Sequence, residues 1–229
     1  MPRKIIGILG GMGPEATADL FLKVIKSTPA KKDQDHLRII VDNNPQIPDR
    51  TAAILHGGED PTPMLVETAR NLERAGASFL IIPCNTAHYF HGPIQKAVSI
   101  PVLHMMSATA DEIKARGIKK AGLLASDGTV QSGLYHKALV QRGIEVIVPS
   151  PKTQEQVMAA IYGVKSGEFT RSARAAGEAA EELIEAGAGG VIAGCTEIPL
   201  ILKDGDVSMP VIDATLALAR AAVREALGA

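Results

Sequence analysis

Two cysteines in this chain of 229 residues, Cys84 and Cys195, have closely similar sequence surroundings. Each follows a short apolar run, at residues 80–82 and 191–193, and each is followed by polar residues that favour a helix start. In a parallel sheet this places a thiol at the carboxyl end of a strand, where ligands bind. The free N–H groups of a helix start would lower the pKa of each thiol towards neutrality. We therefore predict that both cysteines are acid–base groups, although a single cysteine is more often a small buried apolar side chain.

A pair of thiols suits the inversion of a stereocentre. One thiolate removes the Cα proton, and a thiol on the opposite face returns a proton to the planar carbanion. Cys84 and Cys195 would serve this purpose if they faced each other across a cleft. Asn85, Thr86 and Thr196 adjoin the thiols and would hold the α-carboxylate, stabilising the negative charge that develops on it.

The two cysteines are part of a longer internal repeat. Residues 75–77 and 186–188 both read Ala-Gly-Ala and stand 111 positions apart (186 − 75), which is also the separation of the cysteines (195 − 84). Ala-Gly-Ala before a strand is a common helix-to-strand junction, but the matching positions of both cysteines favour a duplication. The repeat predicts two halves of similar construction.

Short apolar runs alternate with amphipathic stretches along the chain, as in α/β folds whose parallel sheets are covered on both faces. The apolar runs predict strands at residues 5–9, 37–41, 79–82, 102–103, 121–124, 145–148, 191–193 and 211–212. The clearest helices are predicted from Thr62 to Gly76 and from Glu168 to Ala186. We expect an α/β fold of two similar domains, each a small parallel sheet flanked by helices, related by a pseudo-twofold axis. The first domain would comprise residues 1–104 and 210–229, and the second residues 105–209.

Composition narrows the choice of partners. Apolar residues make up 46% of the chain, as is typical of globular proteins. The formal net charge is −1, so the chain lacks the excess of basic residues typical of nucleic-acid-binding proteins. No apolar run reaches the roughly 18 residues of a transmembrane helix. The apolar stretch at residues 5–9 runs into glycines rather than into a signal-peptide cleavage site. We expect neither nucleic acid nor membrane as a partner, and a cytoplasmic location.

Three segments resemble the signatures of the aspartate/glutamate racemase family. They are Gly-Gly-Met-Gly-Pro-Glu-Ala-Thr at residues 10–17, Pro-Cys-Asn-Thr-Ala-His at residues 83–88 and Gly-Cys-Thr-Glu at residues 194–197. The resemblance spans essentially the whole chain. It implies a cofactor-independent amino-acid racemase of two similar α/β domains, commonly a homodimer, with the active site between the domains.

The resemblance also bears on the substrate. The glycine-rich opening is more similar to the aspartate racemase branch, whereas the glutamate racemase branch usually has Cys-Thr-His where this chain has Glu197 after Cys195 and Thr196. A small acidic amino acid is implied as substrate, with L- and D-aspartate interconverted. Glutamate stays open as an alternative, because one methylene group in a pocket changes binding by only about 1–3 kcal/mol.

Binding residues follow from the same resemblance. Arg50, after the second predicted strand, and Lys165 resemble positions at which family members hold substrate carboxylates, and a guanidinium can bind a carboxylate through two hydrogen bonds. Either residue could instead be a solvated surface charge. Met12, in the glycine-rich segment, is assigned to substrate binding in the same way.

Other interpretations of these residues stay open. Residues 11–16 fit a loose Gly-x-Gly-x-x-Ala dinucleotide motif after a strand, but a nicotinamide site would leave the paired cysteines without a role. Zinc could be bound by the two cysteines and three nearby histidines, which are Cys84, His88, His91, His104 and Cys195. Their spacing fits no compact zinc motif, and we predict no metal site. A related isomerase, decarboxylase or hydantoin racemase could use the same cysteines. A non-catalytic amino-acid-binding protein would leave them as bystanders.

Overall fold

In the computed structural model, which describes residues 3–228, the chain forms two parallel β-sheets flanked by helices. The α/β architecture predicted from the alternation of elements is thereby confirmed. The residues divide into two units. The first comprises the described residues up to Met105 together with those from Thr215 onward, and the second comprises Met106–Ala214.

The first sheet has β1 (Ile6–Gly10) at its centre, between β2 (Ile39–Asn43) and β3 (Phe79–Ile81). Both neighbours run parallel to β1, and all five residues of β1 are buried. Gly7 is required where β1 meets β3, because a Cβ at this position would lie 2.6 Å from Cδ2 of Leu80. The carboxyl ends of these strands therefore meet at one edge of a closely packed sheet.

Amphipathic helices cover the first sheet. The helices of this unit are α1 (Pro14–Ser27), α2 (Arg50–Leu55), α3 (Thr62–Arg74), α4 (His91–Ala97) and most of α11 (Ala214–Leu227), with 3-10 helices at Asp33–Asp35 and Thr86–Phe90. On α3 the spacing of Leu65, Ala69 and Leu72 places three buried side chains on one face. The predicted helix from Thr62 ends at Arg74, just before Gly76, whose φ of 95° only glycine adopts readily.

The strand predicted at residues 102–103 is reduced to a single parallel bridge between Leu80 and Val102. Pro101 has no N–H to extend the ladder and contributes only its carbonyl, which accepts from the Leu80 N–H. The chain then turns into a helix at Met105, so no further pairing follows.

The second sheet has the order β5 (Glu145–Ile147), β4 (Lys120–Leu124), β6 (Val191–Ala193) and β7 (Val211–Asp213), all parallel. Gly122 in β4 allows helix packing, since a Cβ there would lie 2.8 Å from Cβ of Leu183. The helices of this unit are most of α5 (Met105–Ala115), α6 (Asp127–Gln131), α7 (Leu134–Val140), α8 (Pro151–Lys165), α9 (Phe169–Glu185) and α10 (Ile198–Ile201).

The end of the second unit differs from the sequence-based boundary. The sequence places the return to the first domain at residue 210, whereas Val211–Asp213 is the edge strand of the second sheet and the unit runs to Ala214. The reason is pairing: Val211 lies opposite Val191, and the Val191 N–H donates to the carbonyl of Pro210. The strand thus stays with β6, and only the helix that follows it belongs to the first unit.

Within residues 3–228, no helix is both long enough and apolar enough to cross a membrane.

Candidate active site

Cys84 lies three residues beyond the carboxyl end of β3 and is buried, with 6% of its surface exposed. Asn85 and Thr86 follow it at the start of the 3-10 helix, and both are buried. Met12 lies in the turn after the neighbouring strand β1 and belongs to the same apolar cluster as Cys84. Adjacent strand ends therefore bring Met12, Cys84, Asn85 and Thr86 to one part of the first unit.

The glycine-rich turn after β1 has a packing explanation. Gly11 has a φ of 100°, and a Cβ at this position would clash with the backbone of Asn44. The Gly11 N–H donates to Oγ1 of Thr17 at 2.9 Å, and that hydroxyl donates to the carbonyl of Gly13 at 3.0 Å. The segment after β2 passes so close to Gly11 that no side chain fits there. This packing explains the glycine without a dinucleotide-binding motif.

Arg50 is the first residue of α2, a helix capped by the Asp49 side chain. Its Nη1 donates to the carbonyls of Ile47 at 3.1 Å and Pro48 at 2.8 Å. Its Nε is buried and has no hydrogen-bond partner among residues 3–228. Within the described part of the chain, the half-buried guanidinium makes hydrogen bonds to carbonyl oxygens and no ion pair. A buried N–H without an acceptor is costly, so this edge of Arg50 suits an incoming carboxylate.

The site in the second unit is built around Cys195, two residues beyond the carboxyl end of β6. The half-buried thiol donates to Oε2 of Glu197 at 2.9 Å, and the Thr196 hydroxyl donates to the same oxygen at 3.3 Å. Lys165, at the end of α8, places its Nζ 3.7 Å from Oε1 of Glu197 and 5.6 Å from the centre of the Tyr162 ring. Lys165, Cys195 and Thr196 are therefore joined through one buried carboxylate.

The electrostatic environment of Cys195 is opposite to the one predicted. Loss of hydration on burial raises the pKa of the thiol well above its ordinary value, and the Glu197 carboxylate adds to the rise, with Lys165 opposing it in part. A hydrogen bond from the backbone N–H of Glu197, at the start of α10, lowers the pKa as expected, but burial and the Glu197 carboxylate outweigh it. At neutral pH Cys195 is therefore a thiol and can act as a proton donor.

Two contributors near Cys195 were not assigned from the sequence. In the sequence Glu197 is a departure from Cys-Thr-His, and its position two residues after a cysteine is a signal for a role beside the thiol. Tyr135 is fully buried, and burial together with the charges of Asp213 and Cys195 raises the pKa of its phenol, while a hydrogen bond with Thr109 opposes the rise. Tyr135 comes from α7, far away in sequence, so no local pattern reveals it.

The histidines that were considered with the cysteines as zinc ligands lie in the first unit, where His88, His91 and His104 form a ring cluster. Across residues 3–228, no three side chains of the His, Cys, Asp or Glu types are arranged to hold a metal ion.

The sequence and the fold are similar to those of known racemases. The sequence profile described as Asp/Glu/Hydantoin racemase matches residues 9–222. The broad specificity amino-acid racemase RacX of Bacillus subtilis is 34% identical over 225 residues, which is 96% of this chain and 96% of RacX. The aspartate racemase structure from Picrophilus torridus has a TM-score of 0.89 at 33% identity, covering 97% of this chain and 94% of that one. An aspartate racemase homologue from Pyrococcus horikoshii has a TM-score of 0.81 at 30% identity, covering 98% and 99% of the two chains.

Proposed function

Because the chain belongs to the Asp/Glu/hydantoin racemase family and is an amino-acid racemase, we propose that it interconverts L- and D-aspartate, with glutamate as a further substrate. Cys84 and Cys195 are the two acid–base groups of this proposal. The likeness to an aspartate racemase over nearly the whole chain supports the substrate class.

One observation carries the preference for an acidic side chain, and it is the Nε of Arg50. A half-buried guanidinium whose Nη1 is held by two carbonyls has a fixed orientation, and its buried Nε lacks an acceptor. A side-chain carboxylate of the substrate would supply that acceptor and a charge of opposite sign. A neutral amino acid such as alanine would leave the N–H unsatisfied.

The chemistry begins with transfer of the Cα proton. The Cys84 thiolate takes the proton from Cα, leaving the electron pair on a planar carbanion, and the Cys195 thiol gives its proton to the other face. The S–H bond of Cys84 forms as the Cα–H bond breaks, and Cys195 becomes a thiolate. In the reverse direction the roles exchange. The resting Cys195 thiol, held by Glu197, fits its role as the donor in the first of these directions.

Polar groups beside the thiols stabilise the carbanion. Asn85 and Thr86 in the first unit and Thr196 in the second are buried, so hydrogen bonds that they donate act in surroundings of low dielectric constant. We assign them to the α-carboxylate, whose oxygens gain negative charge as the proton leaves. Lys165 is assigned to a substrate carboxylate as well, in competition with its ion pair to Glu197.

Hydrogen exchange at Cα tests the proposal directly. Purified protein is incubated in D2O with L-aspartate, D-aspartate, L-glutamate or L-alanine, with no pyridoxal phosphate added, and the Cα–H signal is followed by NMR. We expect deuterium at Cα of aspartate with formation of the opposite enantiomer, and much slower exchange for alanine. Absence of exchange in both acidic amino acids would exclude the proposed function.

A broader substrate range is the second candidate, since RacX carries that description. Comparable exchange in alanine and aspartate would favour it over the acidic preference.

Two further properties are proposed from the family resemblance. The first is a homodimer, which light scattering coupled to gel filtration tests by mass. The second is a cytoplasmic location, which cell fractionation tests.

A further inference from the structure

His88 is buried within the first unit, four residues after Cys84. Its Nδ1 lies 2.8 Å from the carbonyl oxygen of Cys84, and its Nε2 lies 3.1 Å from the backbone nitrogen of Met105. A backbone N–H can only donate, so Nε2 is the acceptor and Nδ1 carries the proton. The imidazole is thus a neutral bridge that donates to Cys84 and accepts from Met105.

The protonation state of this bridge is fixed by its surroundings. Burial lowers the pKa of His88 to about 3, and the neighbouring His104 and His91 contribute to the lowering. The backbones of Cys84 and Leu103, which would accept hydrogen bonds from the protonated ring, oppose the lowering without overcoming it. His88 therefore keeps the same tautomer and the same two hydrogen bonds throughout the neutral pH range.

His88 makes hydrogen bonds to the carbonyls of two successive residues, Cys84 and Asn85. Its side chain donates to the carbonyl of Cys84, and its backbone N–H donates to the carbonyl of Asn85 at 3.0 Å. The Cys84–Asn85 peptide is trans, so fixing its carbonyl also fixes the opposite direction of the Asn85 N–H. The orientation of this one peptide sets where the Asn85 N–H is presented, and it holds the backbone that carries the Cys84 side chain.

We propose that His88 is a positioning residue for Cys84, acting through the hydrogen bond from Nδ1 to the Cys84 carbonyl. The proposal rests on the proposed function in so far as Cys84 is the group that acts on Cα. The bond to Met105 is structural: it ties the loop to the start of α5 but does not touch the cysteine. Misplacing a reacting group by about 1 Å can reduce turnover on the order of 100-fold. Loss of a hydrogen bond that positions Cys84 can therefore reduce turnover strongly.

His91 provides a control within the same histidine cluster. Its Nε2 lies 2.8 Å from the carbonyl of Val102, and its ring centre lies 5.0 Å from that of His104. It shares the neighbourhood of His88 but has no hydrogen bond to the Cys84 peptide. A change of His91 should therefore leave turnover within about twofold of the unchanged protein.

Two substitutions separate the two hydrogen bonds of His88. In His88→Asn the amide nitrogen replaces Nδ1 and can still donate to the Cys84 carbonyl, whereas Met105 loses its acceptor. In His88→Gln the longer amide reaches the place of Nε2 and serves Met105, whereas the Cys84 carbonyl loses its donor. Each variant loses one buried hydrogen bond, so a merely structural role predicts similar losses of melting temperature and of turnover for both.

We expect His88→Asn to keep kcat for aspartate within about threefold, and His88→Gln to lower it by about tenfold or more, with KM changed less than threefold in both. His91→Gln, measured beside them, should behave as the unchanged protein. Equal kcat values for His88→Asn and His88→Gln would overturn the proposal.

A thiol measurement separates this proposal from the failure of the proposed function. Alkylation of Cys84 and Cys195 by iodoacetamide is followed peptide by peptide with mass spectrometry, which needs no turnover. His88→Gln should change the alkylation rate of Cys84 by about threefold or more, His88→Asn should not, and Cys195 should be unaffected in both. If neither variant folds, the tautomer of His88 is read from 15N NMR of the unchanged protein. Protonated Nδ1 supports the proposal, and protonated Nε2 overturns it.

Discussion

The Cys195 thiol donates a hydrogen bond of 2.9 Å to the Glu197 carboxylate, two residues further along the chain. This carboxylate is itself buried and lies 3.7 Å from the Nζ of Lys165, so the thiol faces a negative charge that a cation neutralises only in part. The raised pKa of Cys195 follows from this arrangement and from lost hydration. Cys84 has a different setting, with a neutral imidazole on its carbonyl. Two thiols at similar places in the repeat thus have chemically different surroundings.

Replacing Glu197 by Gln should lower the pKa of Cys195. The change removes the negative charge and keeps a hydrogen-bonding side chain of the same shape, while Lys165 stays. We expect alkylation of Cys195 at pH 7.5 to become severalfold faster, because more of the thiol ionises. Racemisation in the direction that uses Cys195 as the acid should fall, because less of this residue is present as the protonated thiol. Glu155→Gln, at an exposed position on α8, is the matched control, and an unchanged alkylation rate in Glu197→Gln would contradict the assignment.

Replacing either cysteine by Ala should abolish racemisation, since inversion needs a group on each face of Cα. Cys→Ser should be nearly as severe, because a hydroxyl is too weak an acid to provide the base at neutral pH. Chiral chromatography of aspartate after incubation measures the loss, and aspartate binding by calorimetry should be retained. In D2O the unchanged enzyme should place deuterium mainly in the product enantiomer. Near-normal racemisation by Cys195→Ala would rule out the two-thiol mechanism.

Changing Arg50 to Leu should affect acidic substrates selectively. Loss of a charge-assisted pair costs about 1.5–3 kcal/mol, so kcat/KM for aspartate should fall by about 10- to 150-fold. Residual exchange of alanine should change little, because alanine has no side-chain carboxylate. Arg174→Leu, at an exposed position on α9, controls for the loss of a surface charge. Equal losses for aspartate and alanine would show that Arg50 acts on the fold or on the α-carboxylate instead.

Most of the strands and both cysteine positions are predictable from the sequence because the signals are local, whereas the strand predicted at residues 102–103 is only a bridge. An apolar run with β-branched residues predicts a buried strand, and a cysteine shortly after the run is therefore expected at the carboxyl end of that strand. Cys84 and Cys195 are identified as a pair because they are separated by the same 111 positions as the two Ala-Gly-Ala segments. The edge strand Val211–Asp213 pairs with β6 in the second sheet, and a three-residue strand carries no local sign of which sheet it joins.

The electrostatics of the site could not be predicted in the same way. The sequence puts Glu197 two residues from Cys195, but only the local backbone determines whether its carboxylate turns towards the thiol. Tyr135 and Lys165 reach the neighbourhood of Cys195 from α7 and α8, and such contacts depend on helix packing. The backbone N–H of Glu197 lowers the pKa of Cys195 as a helix start predicts, but the sequence does not show that burial and the Glu197 carboxylate outweigh it.

The buried His88 should make stability depend on pH. Its pKa is lowered to about 3 in the folded protein, against about 6.5 in the unfolded chain, so between these values only the unfolded chain binds the extra proton. The contribution of His88 to the free energy of unfolding is therefore fully present above pH 6.5 and is lost as the pH falls below it. From pH 7.5 to 5.0 the loss should be about 2 kcal/mol, from roughly 1.4 kcal/mol per pH unit below the unfolded value.

Urea unfolding of the unchanged protein and of His88→Asn at both pH values measures this contribution. Asparagine does not titrate, so the variant should lack this part of the pH dependence even if it is less stable at pH 7.5. His91 and His104, the imidazoles nearest to His88, are present in both proteins and cancel in the difference to a first approximation. His36→Asn, at an exposed position before β2, should keep the pH dependence of the unchanged protein. Identical pH dependence in the unchanged protein and His88→Asn would mean that His88 is protonated, or exposed to water, in the folded state.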